Sequence, residues 1–224
     1  MNFTFKSYIH EFGFIEQYLC IQDLSNEPHF YACSPDFIYN QDAPLHHRIL
    51  NDIQNHSLYK YLESQNNLNI VVDSRVTQTM KGMYPSIPGW HCDSVPRSSN
   101  YNQPDLTKID PNVKHFMCFL SSGLNHTETE FAIGEYSLEI DPNNVWDSVN
   151  KGLESANYSC TSKISYTMKC KSGEVYLFNQ ESLHRASPTV NAGWRLFLRL
   201  SFDSRPILNK IRKQVQIYTS IQGW

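Results

Sequence analysis

The chain has 224 residues, 40% of them hydrophobic and 13% aromatic, which is enough to bury one large core and too apolar for a disordered segment. A formal net charge of −3 supplies no general attraction to nucleic acid or anionic membrane. No apolar run approaches the roughly 20 residues needed to cross a bilayer as a helix.

The opening MNFTFKSYIHEFGF has no basic region followed by an uninterrupted apolar core, so a signal peptide is not expected and a cytoplasmic location is. Six cysteines, at 20, 33, 92, 118, 160 and 170, form no Cys-x-x-Cys pair, and in a reducing compartment they are expected as thiols. Residues 1–40 alternate aromatic and polar side chains and predict short strands and loops. Asp42-Ala-Pro44 predicts a helix start, with Asp as N-cap and Pro in the first turn; Leu45, Ile49 and Ile53 form its apolar stripe. A second helix is expected over Leu58, Tyr61 and Leu62. Asn69–Ser74 and Val76–Met80 read as strand, and Pro85-Ser-Ile-Pro88-Gly89 leads into Trp90-His91-Cys92-Asp93.

The insert 94–111, carrying Arg97, Tyr101 and Asn102, is long enough for a lid over a site, and equally for an ordinary surface loop. Phe116–Ser121 predicts a strand, and Asp141-Pro142 starts a helix that places Val145, Trp146, Val149 and Leu153 on one side. Beyond Lys163 the chain reads as strand. Gly173 opens a turn into a buried strand up to Asn179, and His184 follows at that strand's mouth. In 193–202, alternation puts Arg195, Phe197, Arg199 and Ser201 on one face and Trp194, Leu196, Leu198, Leu200 and Phe202 on the other. The basic residues Arg205, Lys210, Arg212 and Lys213 read as a solvated face.

Chemistry concentrates at His91, Asp93 and His184. Side chains two apart on a strand share a face, so His91 and Asp93 can reach one ion while Cys92 points away. His184 arrives from much later in the chain. Two imidazoles and one carboxylate on one side of a metal leave three positions open, the arrangement used by non-haem iron(II) oxygenases. Two arginines on an inward face require an anionic partner, because an unpaired buried charge is costly.

Over roughly residues 70–205 the chain resembles the Fe(II)/2-oxoglutarate-dependent dioxygenases. The resemblance implies a double-stranded β-helix (jelly roll, cupin-like), mainly β with flanking helices. The expected layout is one domain: 1–70 as N-terminal support, 71–205 as catalytic core and 206–224 as a tail. It implies His91, Asp93 and His184 as iron ligands, 2-oxoglutarate as co-substrate and O₂ as oxidant. Arg195 looks like the anchor for the distal carboxylate of 2-oxoglutarate, and Arg199 like a second carboxylate contact. Arg199-Leu-Ser201 also fits an Arg-x-Ser pair, so the choice between the arginines stays open at this point. Thr129, in Thr127-Glu-Thr129-Glu-Phe131, and Tyr84 are further expected cofactor contacts. Trp90, Arg97 and Tyr101 are expected nearest the substrate, with Trp90 equally readable as core.

The implied reaction couples decarboxylation of 2-oxoglutarate to succinate and CO₂ with hydroxylation of a substrate C–H bond; Asp93, where related halogenases carry a small residue, argues for hydroxylation. A small-molecule or amino-acid-like substrate is expected. The same chemistry on a protein side chain or nucleobase is the alternative, with the acidic balance arguing against nucleic acid, and a non-catalytic cupin-like metal-binding protein is the third. Nothing in the sequence specifies an oligomeric state.

Overall fold

The protein is described from a computed structural model covering residues 1–15, 21–99, 102–122, 127–156 and 166–220. Alternation in the strands sorts apolar side chains into layers, as period-2 geometry requires. In β10 (Gly193–Asp203), Leu196, Leu198, Leu200 and Phe202 lie on one face. They are joined there by Phe116, Cys118 and Leu120 of β5 (Lys114–Ser121) and by Val72 and Val76 of β4 (Asn69–Thr79). That face packs on Ile49, Leu50 and Ile53 of α3 (Pro44–Asn55) and Tyr59 of α4 (Ser57–Gln65).

The opposite face turns Met117, Phe119 and Phe197 inward to meet Phe131 and Ile133 of β6 (Thr129–Glu139) and Tyr176 and Phe178 of β8 (Glu174–Asn179). A third cluster buries Tyr136 and Leu138 of β6 and Phe5 of β1 (Asn2–Ser7) against Val145, Val149 and Leu153 of α5 (Val145–Ala156).

These layers rest on two antiparallel sheets, as the mainly β reading expects. One is five-stranded, in the order β2-β8-β5-β10-β4, with β2 spanning Ile9–Phe14. The other has the path β1-β6-β7, with β7 at Tyr166–Lys169 and β9 (His184–Ala186) also paired to β6. A small ribbon joins β11 (Lys210–Arg212) to β3 (His29–Tyr31). No helix among the described residues is long and apolar enough to cross a membrane.

Several local expectations change. Within residues 1–14, β1 pairs with β6 and β2 with β8, so this segment supplies a strand to each main sheet. Two short helices, α1 (Ile21–Asn26) and α2 (Pro35–Tyr39), stand where only strands and loops were expected. The separate strands read at 69–74 and 76–80 are one, β4. Tyr61 faces solvent at 61% exposure, and α4 buries Tyr59 instead.

Pro44 does open α3, but the N-cap is Ala43 and Asp42 does not cap it. Glu27 takes over from a distance: its Oε1 accepts from the Leu45 amide at 2.6 Å, satisfying one of the helix's orphan donors. Glu27 also contacts His46 Nδ1, whose Nε2 lies 2.7 Å from Ser74 Oγ on β4. All three side chains are buried, and this Ser-His-Glu line pins α3 to the sheet. Cys33, Cys92, Cys118 and Cys170 are buried free thiols; Cys20, Cys160 and His126 lie outside the described residues.

Candidate metal and co-substrate site

His91 and Asp93 do not sit on a regular strand. A single bridge does the positioning: the His91 amide donates to the His184 carbonyl and the His184 amide to the His91 carbonyl, both at 3.0 Å. This zips the 89–93 segment onto β9, which is itself held on β6. His91 and Asp93 still emerge toward one point, while Cys92 packs into the α5 cluster.

One donor atom from each of His91, Asp93 and His184 lies within 4.8 Å of the others. His91 Nδ1 is 2.8 Å from the Gly89 carbonyl and His184 Nδ1 is 2.9 Å from the Ser182 carbonyl. A carbonyl only accepts, so each Nδ1 carries its proton and each Nε2 keeps the lone pair a metal needs. His184 Nε2 and Asp93 Oδ2 are 3.2 Å apart. Burial, reinforced by His184, holds the His91 imidazole neutral, with its pKa down to about 3. Burial alone would raise Asp93; the adjacent Arg199 and His184 override it and keep the carboxyl ionised. Two imidazoles and one carboxylate, each oriented by a second group, form a donor set suited to a divalent first-row metal.

The two inward arginines of β10 divide sharply. Register places Arg199 opposite Asp73 of β4, and its guanidinium bridges Asp73, at 2.8 Å, and Asp93. Both carboxylates raise its pKa against the lowering effect of burial. Arg199 is thus engaged by the candidate ligand Asp93 itself. Arg195 is 2% exposed, and its Nη2 donates to Thr129 Oγ1 at 2.9 Å. Its guanidinium carbon lies 4.5 Å from the centre of the Phe119 ring. Its Nε has no hydrogen-bond partner, and no carboxylate of the described residues pairs with it. Burial drives the Arg195 pKa down to about 9, still charged at neutral pH. Arg199 Nε is likewise unpartnered, so what sets Arg195 apart is the lack of a carboxylate, and a buried guanidinium in that position can accept an anion.

These groups share one cavity of about 130 Å³, whose lining includes His91, Asp93, His184, Thr129, Arg195 and Arg199. Other expected contacts fall outside the described lining. Ser201 lies two residues, about 6.6 Å, further along β10 and bonds His115 Nδ1 at 2.8 Å. Tyr84 is bridged through its backbone to Tyr218. Trp90 is core: its amide donates to Asn150 Oδ1 at 2.8 Å, and its ring lies 4.4 Å beneath the Arg185 guanidinium. Arg97 is exposed and donates to the Asn102 carbonyl in a small turn closed by the Arg97–Pro104 bridge. No described residue of 94–111 lines the cavity, and Tyr101 lies outside the described residues.

The structure adds Asp73, Arg75, Ser86, Arg205 and Arg212 to the wall. Two charges at alternate positions beside the buried Val71, Val72 and Val76 of β4 were the available signal for Asp73 and Arg75, since buried charges need partners. Arg205 and Arg212 belong to the basic stretch read as solvated. Lys210 and Lys213 are exposed as that reading expects, whereas Arg205 and Arg212 turn onto the cavity.

No family model matches this chain, and no curated protein does. Among solved structures it is similar to an N-substituted L-amino acid dioxygenase from Burkholderia ambifaria AMMD: 12% identity, a TM-score of 0.40, and coverage of 85% of this chain and 73% of that one. The same kind of dioxygenase from that organism, in complex with alpha-KG, overlaps at 14% identity and a TM-score of 0.34, with 57% of this chain and 47% of that one covered. Likeness this slight leaves function to be judged on this chain's own side chains.

Proposed function

We propose that this chain is an Fe(II)- and 2-oxoglutarate-dependent oxygenase that hydroxylates a small molecule, built on a double-stranded β-helix. The observation that carries the reading is the meeting, in one cavity, of a His-Asp-His donor set with a buried arginine that lacks a carboxylate partner. His91 and His184 would hold iron through Nε2 and Asp93 through a carboxylate oxygen. Bound iron supplies redox chemistry with O₂ that no side chain provides.

The chain's own residues do the rest. The Gly89 and Ser182 carbonyls fix the imidazole tautomers. Arg199 keeps Asp93 ionised and oriented while tying it to Asp73. Arg195, steadied by Thr129, receives the distal carboxylate of 2-oxoglutarate. Phe119 and Phe197 beside Arg195 keep water from competing for that carboxylate. The cavity is lined by buried His91, His184, Arg195 and Arg199, which supports a small molecule over a polymer.

Anaerobic titration with Fe(II) and 2-oxoglutarate tests the reading. A visible charge-transfer band at one equivalent of each is expected, followed on exposure to air by succinate release. Failure to bind iron at these residues, or iron binding with no effect of 2-oxoglutarate, would overturn it.

A further inference from the structure

The cavity wall is more cationic than a metal and one co-substrate require. Six arginines, at 75, 185, 195, 199, 205 and 212, line it with two aspartates, Asp73 and Asp93. Arg199 is paired with both aspartates, Arg205 with Asp73 and Asp203, and Arg185 with Glu130. Arg195 is assigned above to 2-oxoglutarate. Arg75 and Arg212 remain, and no carboxylate of the described residues lies within ion-pair distance of either.

Both are held in place by groups that do not neutralise them. Arg75 sits on β4 opposite Phe197, with one long hydrogen bond from Nη1 to Ser86 Oγ at 3.4 Å. Arg212, on β11, is carried in by pairing with β3, where it lies opposite His29. Tyr31, two residues on, shares that face, and the guanidinium rests 3.9 Å from its ring centre. Burial lowers the Arg75 pKa first, and Arg212 and Arg199 lower it further. Two guanidinium groups that repel each other across a half-buried wall are stabilised by an anion between them.

We infer that the substrate is a small organic acid whose carboxylate is held between Arg75 and Arg212, on the β4–β11 side of the cavity. The inference rests on the oxygenase reading in one respect, that 2-oxoglutarate occupies Arg195. Arg75 and Arg212 are then positioning residues for substrate, setting which carbon faces the metal.

The test is isothermal titration calorimetry with three probes of similar alkyl chain and different head group: hexanoate, hexanamide and hexyl phosphate. Each is titrated into metal-free protein and into protein loaded anaerobically with Ni(II) and 2-oxoglutarate. Hexanoate is expected to bind the loaded protein at least tenfold more tightly than hexanamide, without displacing 2-oxoglutarate. Arg75→Gln and Arg212→Gln should each weaken hexanoate about ten- to a hundredfold, the loss of a charge-assisted hydrogen bond, and leave 2-oxoglutarate affinity within twofold. Arg212 sits on a short, largely exposed strand, so its variant remains interpretable should Arg75→Gln fold poorly. Equal affinity for hexanoate and hexanamide, unchanged hexanoate affinity in Arg212→Gln, displacement of 2-oxoglutarate by hexanoate, or tenfold preference for hexyl phosphate would each overturn the inference. If wild-type protein binds no 2-oxoglutarate with Ni(II), yet hexanoate still depends on Arg75 and Arg212, the co-substrate reading fails and the carboxylate clamp stands.

Discussion

Replacing Arg195 by Met should stabilise the metal-free protein while abolishing its use of 2-oxoglutarate. Arg195 is 2% exposed, with one hydrogen bond to Thr129 and an unpartnered Nε. Burial takes its pKa down to about 9; at about 1.4 kcal/mol per pH unit, holding that cation costs the empty protein several kcal/mol. Methionine fills similar volume with no charge to desolvate, and replacing buried ionic groups by apolar ones is often stabilising by about 1–4 kcal/mol. Urea denaturation of metal-free protein should therefore show a gain of about 1–3 kcal/mol, reduced from the full cost because Thr129 loses its donor.

The same variant should lose the anaerobic 2-oxoglutarate-dependent absorbance while keeping iron stoichiometry, since the three candidate ligands are untouched. Arg195→Lys keeps the charge but not the two-pronged geometry, and should weaken 2-oxoglutarate about ten- to a hundredfold. A structural arginine behaves in the opposite way. If Arg195→Met destabilises the protein by several kcal/mol and leaves 2-oxoglutarate affinity unchanged, the anchor assignment is wrong.

Asp93→Ala removes the one carboxylate of the donor cluster and leaves Arg199 facing the cavity without it, so iron measured after equilibrium dialysis should drop from one equivalent to near zero; full retention would refute the ligand set. Asp73 should give the protein an acid-sensitive limb: burial pushes its pKa up, but Arg199 and Arg205 bring it down to about 2. Its contribution, about 2 kcal/mol, is complete above the unfolded value near 3.8 and is lost as pH falls from there toward 2; urea unfolding of Asp73→Asn at pH 5 and pH 2.5 should show a correspondingly smaller difference than wild type. Arg97→Ala should leave succinate formation within about twofold of wild type, because the side chain is exposed and outside the cavity lining; a tenfold loss would restore the 94–111 segment as a lid.

The parts of the site legible in the sequence are those whose chemistry is carried by residue type and short-range parity. His91-x-Asp93 needs only a local extended segment to aim two ligands together, and one backbone bridge to His184 supplies it. Strand alternation in 193–202 put Arg195 and Arg199 on the inward face, as found. Register was not legible. Only the pairing of β10 with β4 reveals that Arg199 stands opposite Asp73, and only the pairing of β11 with β3 carries Arg212 to the wall. Those are contacts between distant segments, and composition within either segment cannot encode them. The N-cap of α3 failed for the same reason: a distant Glu27 does the work expected of the adjacent Asp42.

Register also explains why two arginines four residues apart on one strand face have different surroundings. At Arg199 the neighbouring strand presents a carboxylate, so the guanidinium is neutralised in the empty protein and can brace Asp93. At Arg195 the same strand presents Thr77, and β5 presents Ser121, so no anion is built in. A cation left unneutralised at that depth is stable only because the fold pays elsewhere, through the apolar layer that Leu196, Leu198 and Leu200 form on the opposite face of β10. On the proposed reading, the strand position without a carboxylate partner is the one that an outside carboxylate completes, and Arg75, on the adjacent strand of the same sheet, and Arg212 repeat the arrangement.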